Sequence, residues 1–389
     1  MIDPYRFYQD SEPIIAGMEA RGIRVDVAQA TQYFQKLNPI YKNIKKIWEA
    51  RFHTSFVDSG KYLASIWEKN NWRYRVKRSW SKAKRKYIEN PDFSKEILPT
   101  YDVPPEVIKC IFLLRKNQKK LATLKTFVES GGKVYPKYEL TVTGRFRCSS
   151  PNIQNLENKD KTGTTTMDCL LPHKGFKRIS RFDYSQGEYR MFADYTGNKK
   201  LIGELNDGAD YHQWVSDKVK VERSRAKTIN FGLLYGCKDP TLANLLGGTR
   251  QDAALLRRDV LHILGPKAEI FIKLMETQNR VRLWSGAKIK VDSGHKAINY
   301  LCQGGLAHCV RLALLRVYKH QFLDRLLLLA NIHDENIYED EGDMPLHLVR
   351  EIMENCYQSQ NGIKMKVSIS ISKPEGRLSL DKKNFIEYE

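Results

Sequence analysis

The most constraining feature of this sequence is an octet at positions 183–190, DYSQGEYR, which places a carboxylate where a strand meets a helix. Residues 177–182 have the pattern of a short strand that ends at Asp183, and residues 189–193 have helical character. A carboxylate at such a corner is fixed by the strand yet accessible, which suits a hard cation. The structural alternative is that Asp183 is a turn residue and that Ser185 and Glu188 form a capping box. The octet alone favours that alternative.

The charge balance bounds the class of partner. The 389 residues include 65 Lys and Arg against 45 Asp and Glu, giving a formal net charge of +20 at pH 7. This excess predicts a polyanionic partner, most simply nucleic acid, with an acidic membrane surface as the weaker alternative. No apolar run reaches the roughly eighteen residues of a membrane span. The seven cysteines are scattered and form no C-x-x-C pair, which indicates a reducing compartment and argues against a zinc site.

A basic segment near the N-terminal third predicts phosphate contacts. Positions 69–86 contain nine basic residues and no acidic one. Within it Arg73, Arg75 and Lys77 alternate with Trp72, Tyr74 and Val76, a period of two that predicts an exposed ribbon with one cationic face. Cations would then meet phosphates while the aromatic rings stack on bases. A merely solvated surface is the alternative.

Residues 143–155 are loop-like and dense in side-chain donors that suit the minor-groove acceptors of DNA. These donors are Arg145, Asn152, Gln154 and Asn155. A polar surface loop explains the segment equally well.

A helical segment, residues 223–236, carries two cations and then two aromatic rings at a spacing of four residues: Arg223, Lys227, Phe231 and Tyr235. This spacing puts them in one stripe. Cations near a helix start oppose its macrodipole unless an anion binds there. A nucleoside triphosphate would satisfy both halves, with phosphates on the cations and base or sugar on Phe231. An ordinary amphipathic helix is the alternative.

Near the C-terminus a second carboxylate site is predicted. Residues 326–332 have the pattern of a buried strand, His333-Asp334-Glu335 that of a tight turn, and residues 336–339 that of a returning strand. A carboxylate pair at a hairpin tip is solvated by default. Asp334 is nevertheless the candidate partner for Asp183 in binding a cation.

In this order, these segments resemble the polymerase domain of the family A DNA polymerases, the bacterial DNA polymerase I type. The octet resembles the first catalytic motif, residues 223–236 the motif of the fingers helix, and residues 333–335 the third motif. Residues 143–155, Asn299 with Gln303, and residues 18–26 match further segments. The likeness spans nearly the whole chain, so we interpret the octet as catalytic.

The resemblance implies an α+β right-hand fold with a palm built on an antiparallel sheet, fingers and a thumb. The implied divisions are 1–27 for an N-terminal segment associated with the palm, 28–132 for the thumb, 133–194 for the palm with the first motif, 195–294 for the fingers, and 295–389 for the palm with the third motif and the C-terminal tail.

The resemblance also implies a template-directed DNA polymerase that extends a primer 3′ end with dNTPs by two-metal-ion nucleotidyl transfer. The metal would be Mg²⁺, with Mn²⁺ able to substitute, held by Asp183, the carbonyl of Tyr184 and Asp334. Glu335 would support this site, and Lys227 would also protonate the leaving group. Glu188 resembles a steric gate against the ribose 2′-hydroxyl, and Phe231 would disfavour dideoxynucleotides.

Two sets of binding residues follow from the resemblance. The nucleotide-binding set is Tyr184, Gln186, Glu188, His212, Arg223, Lys227, Phe231 and Tyr235. The DNA-binding set joins the loop donors and the basic ribbon to further matches: Arg145, Asn152, Gln154, Asn155, Asn299, Gln303, His333, Arg73, Arg75 and Lys77.

We expect primer–template DNA and dNTPs as partners, no membrane, and a monomer, with separate replication factors left open. Because the family match starts at Met18, we expect no proofreading or 5′-nuclease domain. A stand-alone domain of this kind is typical of a phage or other mobile element, and its location would be the cytoplasm, that of the host if phage-encoded. A single-subunit RNA polymerase and a catalytically silent nucleic-acid-binding relative are the alternatives. Glu188 disfavours the first, and the intact Asp183 and Asp334 disfavour the second.

Gly187 departs from the family pattern, which has a large apolar residue beside the gate. Its low bulk predicts a pocket that is permissive to mispairs, lesions or altered sugars.

Overall fold

The structure is a computed structural model that describes residues 4–81, 85–95, 97–156, 165–235, 237–320, 325–372, 377–378 and 385–388. The chain divides into two compact units, residues 25–132 and residues 1–24 with 133–389. The first unit begins three residues before the segment that we assign to the thumb, and its identity as a thumb stays a prediction. Within the described part, no helix combines the length and the apolar character that crossing a bilayer requires.

Among the described residues, the helices are α1 (Pro4–Arg21), α2 (Val27–Phe52), α3 (Gly60–Lys69), α4 (Pro105–Val128), α5 (Gly187–Thr196), α6 (Lys199–Asn206), α7 (Tyr211–Val219), α8 (Arg223–Leu234), α9 (Asp239–Leu246), α10 (Arg250–Glu276), α11 (Ala297–Tyr318) and α12 (Leu346–Glu354). The strands are β1 (Ile23–Val25), β2 (Val76–Ser81), β3 (Lys86–Pro91), β4 (Lys133–Val134), β5 (Lys137–Leu140), β6 (Phe146–Ser149), β7 (Leu170–Leu171), β8 (Arg178–Tyr184), β9 (Arg280–Arg282), β10 (Lys288–Lys290), β11 (Leu326–Ile332), β12 (Glu335–Asp340), β13 (Val367–Ser372) and β14 (Phe385–Glu387). Short 3₁₀ helices occupy Leu98–Thr100, Ile153–Asn155, Thr166–Cys169 and Gly294–Lys296.

The smaller unit is organised by an aromatic core between α2, α3 and α4, with the β2–β3 ribbon beside it. Trp72 lies 5.4 Å from Trp67 between ring centroids, and Tyr74 lies 5.7 Å from Phe93. The strand begins only at Val76, so these two rings precede it and pack inward. Both rings pack against the core with part of their surface accessible, so base stacking by them stays a prediction. The alternation itself is present, since Arg73 and Arg75 are exposed.

The larger unit is built on a five-stranded sheet with the order β11-β12-β8-β13-β14. Its neighbouring strands are antiparallel, as predicted. In the pairing of β12 with β8, Glu335 lies directly opposite Asp183. Residues paired in this way have Cβ atoms about 5 Å apart. The end of β8 and the turn between β11 and β12 therefore meet at one edge of the sheet.

Helix α11 forms the centre of the larger unit's core. It is buried around most of its circumference, which fits a helix that is apolar on all sides. The sequence from position 301 to 317 supplies mainly Leu, Val, Ala, Cys and Gly, so neighbouring elements can approach closely. The core position of α11 fixes the elements that carry the site.

Candidate active site

The capping box that the octet alone favours does not form at the corner between β8 and α5. Gln186 adopts a left-handed conformation (φ 51°) at the start of α5, and no side chain caps that helix end. The amide of Ser185 donates to the carbonyl of Lys366 at 2.8 Å. Glu188 instead pairs with Arg145, so the proposed capping role of Ser185 and Glu188 is wrong.

A buried arginine, for which the sequence pattern indicates no role, holds this corner. Arg190 is 1% exposed and donates to three carbonyls: Ser185 at 2.9 Å, Lys364 at 2.8 Å and Leu205 at 3.0 Å. Burial lowers the pKa of this guanidinium to about 10, so it remains charged at neutral pH. Arg190 therefore ties the octet to two other segments of the larger unit.

Three carboxylates converge at the sheet edge: Asp183, Asp334 and Glu335. Asp183 is accessible to solvent but densely surrounded by protein atoms. This partial desolvation, followed by the charges of Glu335 and Asp334, raises the pKa of Asp183 to about 7. Concentrated negative charge of this kind is the environment that a divalent cation relieves.

Glu335 and Asp334 differ in how their charges are compensated. The guanidinium of Arg181, itself 1% exposed, donates to both oxygens of Glu335 at 2.6 and 2.5 Å. The Nη2 atom of Arg145 donates to both carboxylate oxygens of Asp334, at 2.8 Å to Oδ1 and 2.7 Å to Oδ2. Arg145 also donates to Glu188, and it thereby bridges the turn to the octet. Burial and then the charge of Asp334 raise the pKa of Glu188 to about 7, against the effect of Arg145.

The donor set fits a magnesium site that is completed by substrate. No group of three or more His, Cys, Asp or Glu residues forms a ready-made cage in the described ranges. Mg²⁺ in proteins typically uses one or two carboxylates together with phosphates and water. Asp183 and Asp334 supply such a pair. The hydroxyl of Tyr184 donates to the carbonyl of Met353 at 2.8 Å within the core, so Tyr184 can offer a metal only its main chain.

Helix α8 brings the predicted cation–aromatic stripe to the same unit. The Nζ atom of Lys227 lies 5.9 Å from the centroid of Phe231, whose ring stacks on Tyr235 at 5.7 Å. The charge of Lys227 is close enough to lower the pKa of Asp183 and Glu188. Arg223 is paired with Asp210, with half of its side chain exposed. The stripe is therefore present, with the Lys227 end nearest the carboxylates.

Two predicted nucleotide contacts have internal partners. Gln186 donates to the carbonyl of Ala209 at 2.8 Å and accepts from the amide of Tyr211 at 3.1 Å. His212 is 2% exposed, and burial followed by the charge of Lys227 lowers its pKa to about 4. His212 is thus neutral at pH 7 and could meet phosphate only as a neutral donor. Their roles with nucleotide stay predictions.

The predicted DNA contacts separate into exposed and internal groups. Gln154 has an internal role, because its amide donates to the carbonyls of Phe146 and Asn331 and its oxygen accepts from Cys148. In the larger unit, Asn152, Asn155 and His333 are exposed, and Asn299 and Gln303 are half-buried on α11. In the smaller unit, Arg73, Arg75 and Lys77 are exposed.

The space beside Gly187 is already filled. A Cβ atom at this position would lie 2.6 and 2.7 Å from the two methyl groups of Leu306, which is 1% exposed on α11. The predicted opening beside the gate is therefore absent, because a side chain from another helix occupies it. The sequence could not reveal that Leu306 takes the place of a side chain at position 187, because the two positions are 119 residues apart in the chain.

Gly187→Ile should destabilise the protein by roughly 1–3 kcal/mol through overpacking against Leu306. Leu306→Ala alone should cost roughly 2–5 kcal/mol by leaving a cavity. The double variant should lose less unfolding free energy than the sum of the two single losses, by about 1 kcal/mol or more. Urea unfolding measures these free energies. Strict additivity would mean that the two positions do not share this space.

Comparison with known proteins gives the following similarities. The family described as DNA polymerase family A has a model that matches residues 24–261. DNA polymerase I of Caldicellulosiruptor bescii is 25% identical over 402 residues, covering 94% of this chain and 45% of that protein. DNA polymerase I of Bacillus subtilis is 26% identical over 382 residues, covering 88% and 42% respectively. The chain thus spans less than half the length of these two relatives.

A solved structure gives the same indication for the fold. The POL domain of Pol1 from M. smegmatis, in complex with DNA primer-template and dNTP, superposes with a TM-score of 0.80 at 20% sequence identity. The match covers 94% of this chain and 70% of that one. This likeness confirms the predicted fold class.

Proposed function

Because this chain belongs to DNA polymerase family A, we propose that it extends the 3′ end of a primer with dNTPs along a template strand. The observation that carries the proposal is the meeting of Asp183 and Asp334 at one edge of the sheet, within the electrostatic reach of Lys227. Nucleotidyl transfer requires carboxylates that bind the metal ions and a cationic side chain that stabilises the phosphates.

Asp183, Asp334 and the carbonyl of Tyr184 would hold two Mg²⁺ ions, and Mn²⁺ could take their place. When bound, these ions lower the pKa of the primer 3′-hydroxyl and neutralise the triphosphate and the leaving pyrophosphate. Glu335, paired with Arg181, adds negative charge beside Asp183 without being a free ligand.

The residues of α8 would bind the nucleotide. Arg223 and Lys227 hold the phosphates, and Lys227 delivers a proton to the leaving group. Phe231 packs on the base or sugar, and Tyr235 stacks at the templating position. Glu188, a buried residue of the octet, would close the space that a ribose 2′-hydroxyl needs.

Arg145 would exchange partners when substrate binds. In this structure its guanidinium forms ion pairs with the carboxylates of Asp334 and Glu188. Base-edge acceptors of a bound duplex can receive the same donors. Arg145→Ala should therefore strengthen Mn²⁺ binding to the free protein by several-fold, as followed by the electron paramagnetic resonance of free Mn²⁺. Asp334→Asn should weaken it. Unchanged Mn²⁺ affinity in Arg145→Ala would show that Arg145 does not compete for Asp334.

Primer extension tests the proposed function. A labelled primer on a longer template is incubated with Mg²⁺ and either dNTPs or rNTPs. We expect extension to the end of the template with dNTPs and little product with rNTPs, because Glu188 opposes the 2′-hydroxyl. No extension with dNTPs by protein that binds the duplex would favour a catalytically silent relative. Preference for rNTPs would favour an RNA polymerase.

The basic ribbon of the smaller unit should contribute to DNA affinity through charge. The DNA association constant K should depend less steeply on salt in the double variant Arg73→Ala with Arg75→Ala. The slope of log K against log salt should fall in magnitude by up to about 1.8, since each phosphate contact contributes roughly 0.9. Lys77 adds less because it pairs with Asp92 at 3.5 Å. The control is Lys45→Ala with Lys125→Ala, an equal charge change on α2 and α4. If the two double variants have the same slope, the ribbon makes no specific contact.

A further inference from the structure

A two-stranded hairpin of the larger unit, β9–β10, presents four cations on one face. Its strands read Arg-Val-Arg at 280–282 and Lys-Ile-Lys at 288–290, and in both only the middle residue is buried. No Asp or Glu occurs between positions 277 and 291. Among the ion pairs of the described residues, none includes Arg280, Arg282, Lys288 or Lys290.

The register of this hairpin places like charges directly opposite each other. Lys288 pairs with Arg282, and Lys290 pairs with Arg280. Like charges at opposite positions destabilise a two-stranded sheet. Neighbouring cations on one strand are about 7 Å apart, so the face is a compact square of positive charge. Such a face is unfavourable by itself and becomes favourable when a linear polyanion lies along it.

The other face of the hairpin fixes it to α11. The side chains of Leu283 and Ile289 pack so closely on Gly304 that a Cβ there would lie 3.0–3.1 Å from them. The indole of Trp284 donates to the carbonyl of Gly305 at 2.8 Å. Ser285 and His308 are joined by a hydrogen bond of 2.7 Å. The cationic face is therefore presented by a rigid element and costs little conformational entropy to bring to a ligand.

This attachment also places the hairpin beside predicted DNA contacts. Gly304 follows Gln303 directly, and Asn299 lies one turn earlier on α11. The hairpin thus packs against the part of α11 that carries Asn299 and Gln303. We propose that the four-cation face of β9–β10 binds the phosphate backbone of the primer–template DNA. The inference rests on the proposed polymerase function and extends its DNA-binding surface to residues that the family pattern did not indicate.

A charge reversal separates binding from stability. Arg282→Glu places a carboxylate opposite Lys288, so the hairpin should be at least as stable as in the wild type. Its affinity for a fluorescent primer–template should nevertheless fall about tenfold near 0.1 M salt, and the slope of log K against log salt should become less steep by about 1–2. Arg282→Gln with Lys288→Gln should give a similar loss through charge removal alone.

The matched control is Lys199→Gln with Lys200→Gln, which removes the same charge from α6. Equal losses in this control and in the hairpin variants, or an unchanged slope in Arg282→Glu, would overturn the proposal. A wild type that does not bind the primer–template would overturn the proposed function as well. Vesicles of phosphatidylserine and phosphatidylcholine form a separate arm. If Arg282→Glu loses only vesicle binding, the face binds a membrane surface and not DNA.

Discussion

Asp183→Asn should lower the rate of primer extension about a thousandfold or more, since metal-assisted stabilisation of the transition state amounts to several kcal/mol. The side chain keeps its shape but loses the charge that the cation needs. Removing that charge also relieves repulsion from Glu335 and Asp334, so stability should not fall. Single-turnover extension with Mg²⁺ measures the loss, and fluorescence anisotropy should show duplex binding close to that of the wild type.

Asp207→Asn is the matched control for this substitution. Asp207 is an exposed carboxylate at the end of α6, and its change should leave extension within about twofold of the wild type, as for a surface substitution. Extension by Asp183→Asn at a rate near that of this control would remove Asp183 from the chemistry. Loss of duplex binding together with extension would instead assign Asp183 to DNA affinity.

Arg181→Met should produce the largest loss of stability among simple substitutions at the site. Arg181 is 1% exposed and donates to both oxygens of Glu335. Breaking a buried pair leaves the remaining charge uncompensated, at a cost of roughly 3–5 kcal/mol. Urea unfolding followed by circular dichroism measures the change.

Arg325→Met provides the comparison with an exposed ion pair. Arg325 pairs with Glu341 and Asp343, and about half of its side chain is exposed. Exposed pairs contribute roughly 0–1 kcal/mol, so this variant should unfold close to the wild type. Equal effects of the two substitutions would show that the Arg181–Glu335 pair is effectively solvated.

Much of the secondary structure that carries the site was predictable, because local patterns determine it. The strand before Asp183, the helix at residues 223–234 and the hairpin around Asp334 follow from periodicity and turn chemistry. The antiparallel sheet followed from the resemblance, and the comparison with solved structures confirms that fold class. The individual site roles stay predictions until they are measured.

The features that were not predictable depend on contacts between distant positions. Arg190 finds its carbonyl partners on segments as far away as residue 364, and no local pattern marks such an acceptor. Leu306 fills the space beside Gly187, so the opening expected from the departure of Gly187 from the family pattern is not present. Trp72 and Tyr74 have the alternation of a ribbon but join an aromatic core that only tertiary packing creates.

Side-chain pairing changed the interpretation of the charged residues in a similar way. The alternative interpretation of the octet made Glu188 a capping residue of α5, whereas in the structure Glu188 pairs with Arg145. The cationic face of β9–β10 depends on register, since only pairing shows that Arg282 lies opposite Lys288. Charge counts predicted a polyanionic partner, whereas the structure shows which cations are already neutralised by carboxylates.

In the proposed function, the template base directs nucleotide addition at the carboxylate pair of Asp183 and Asp334. Single-nucleotide addition to one primer on four templates that differ only in the next base measures this directly. With Mg²⁺, we expect the complementary dNTP to be added on each template, and Asp334→Asn to add none at a comparable rate. Addition that ignores the template base, or equal rates for wild type and Asp334→Asn, would contradict the proposal.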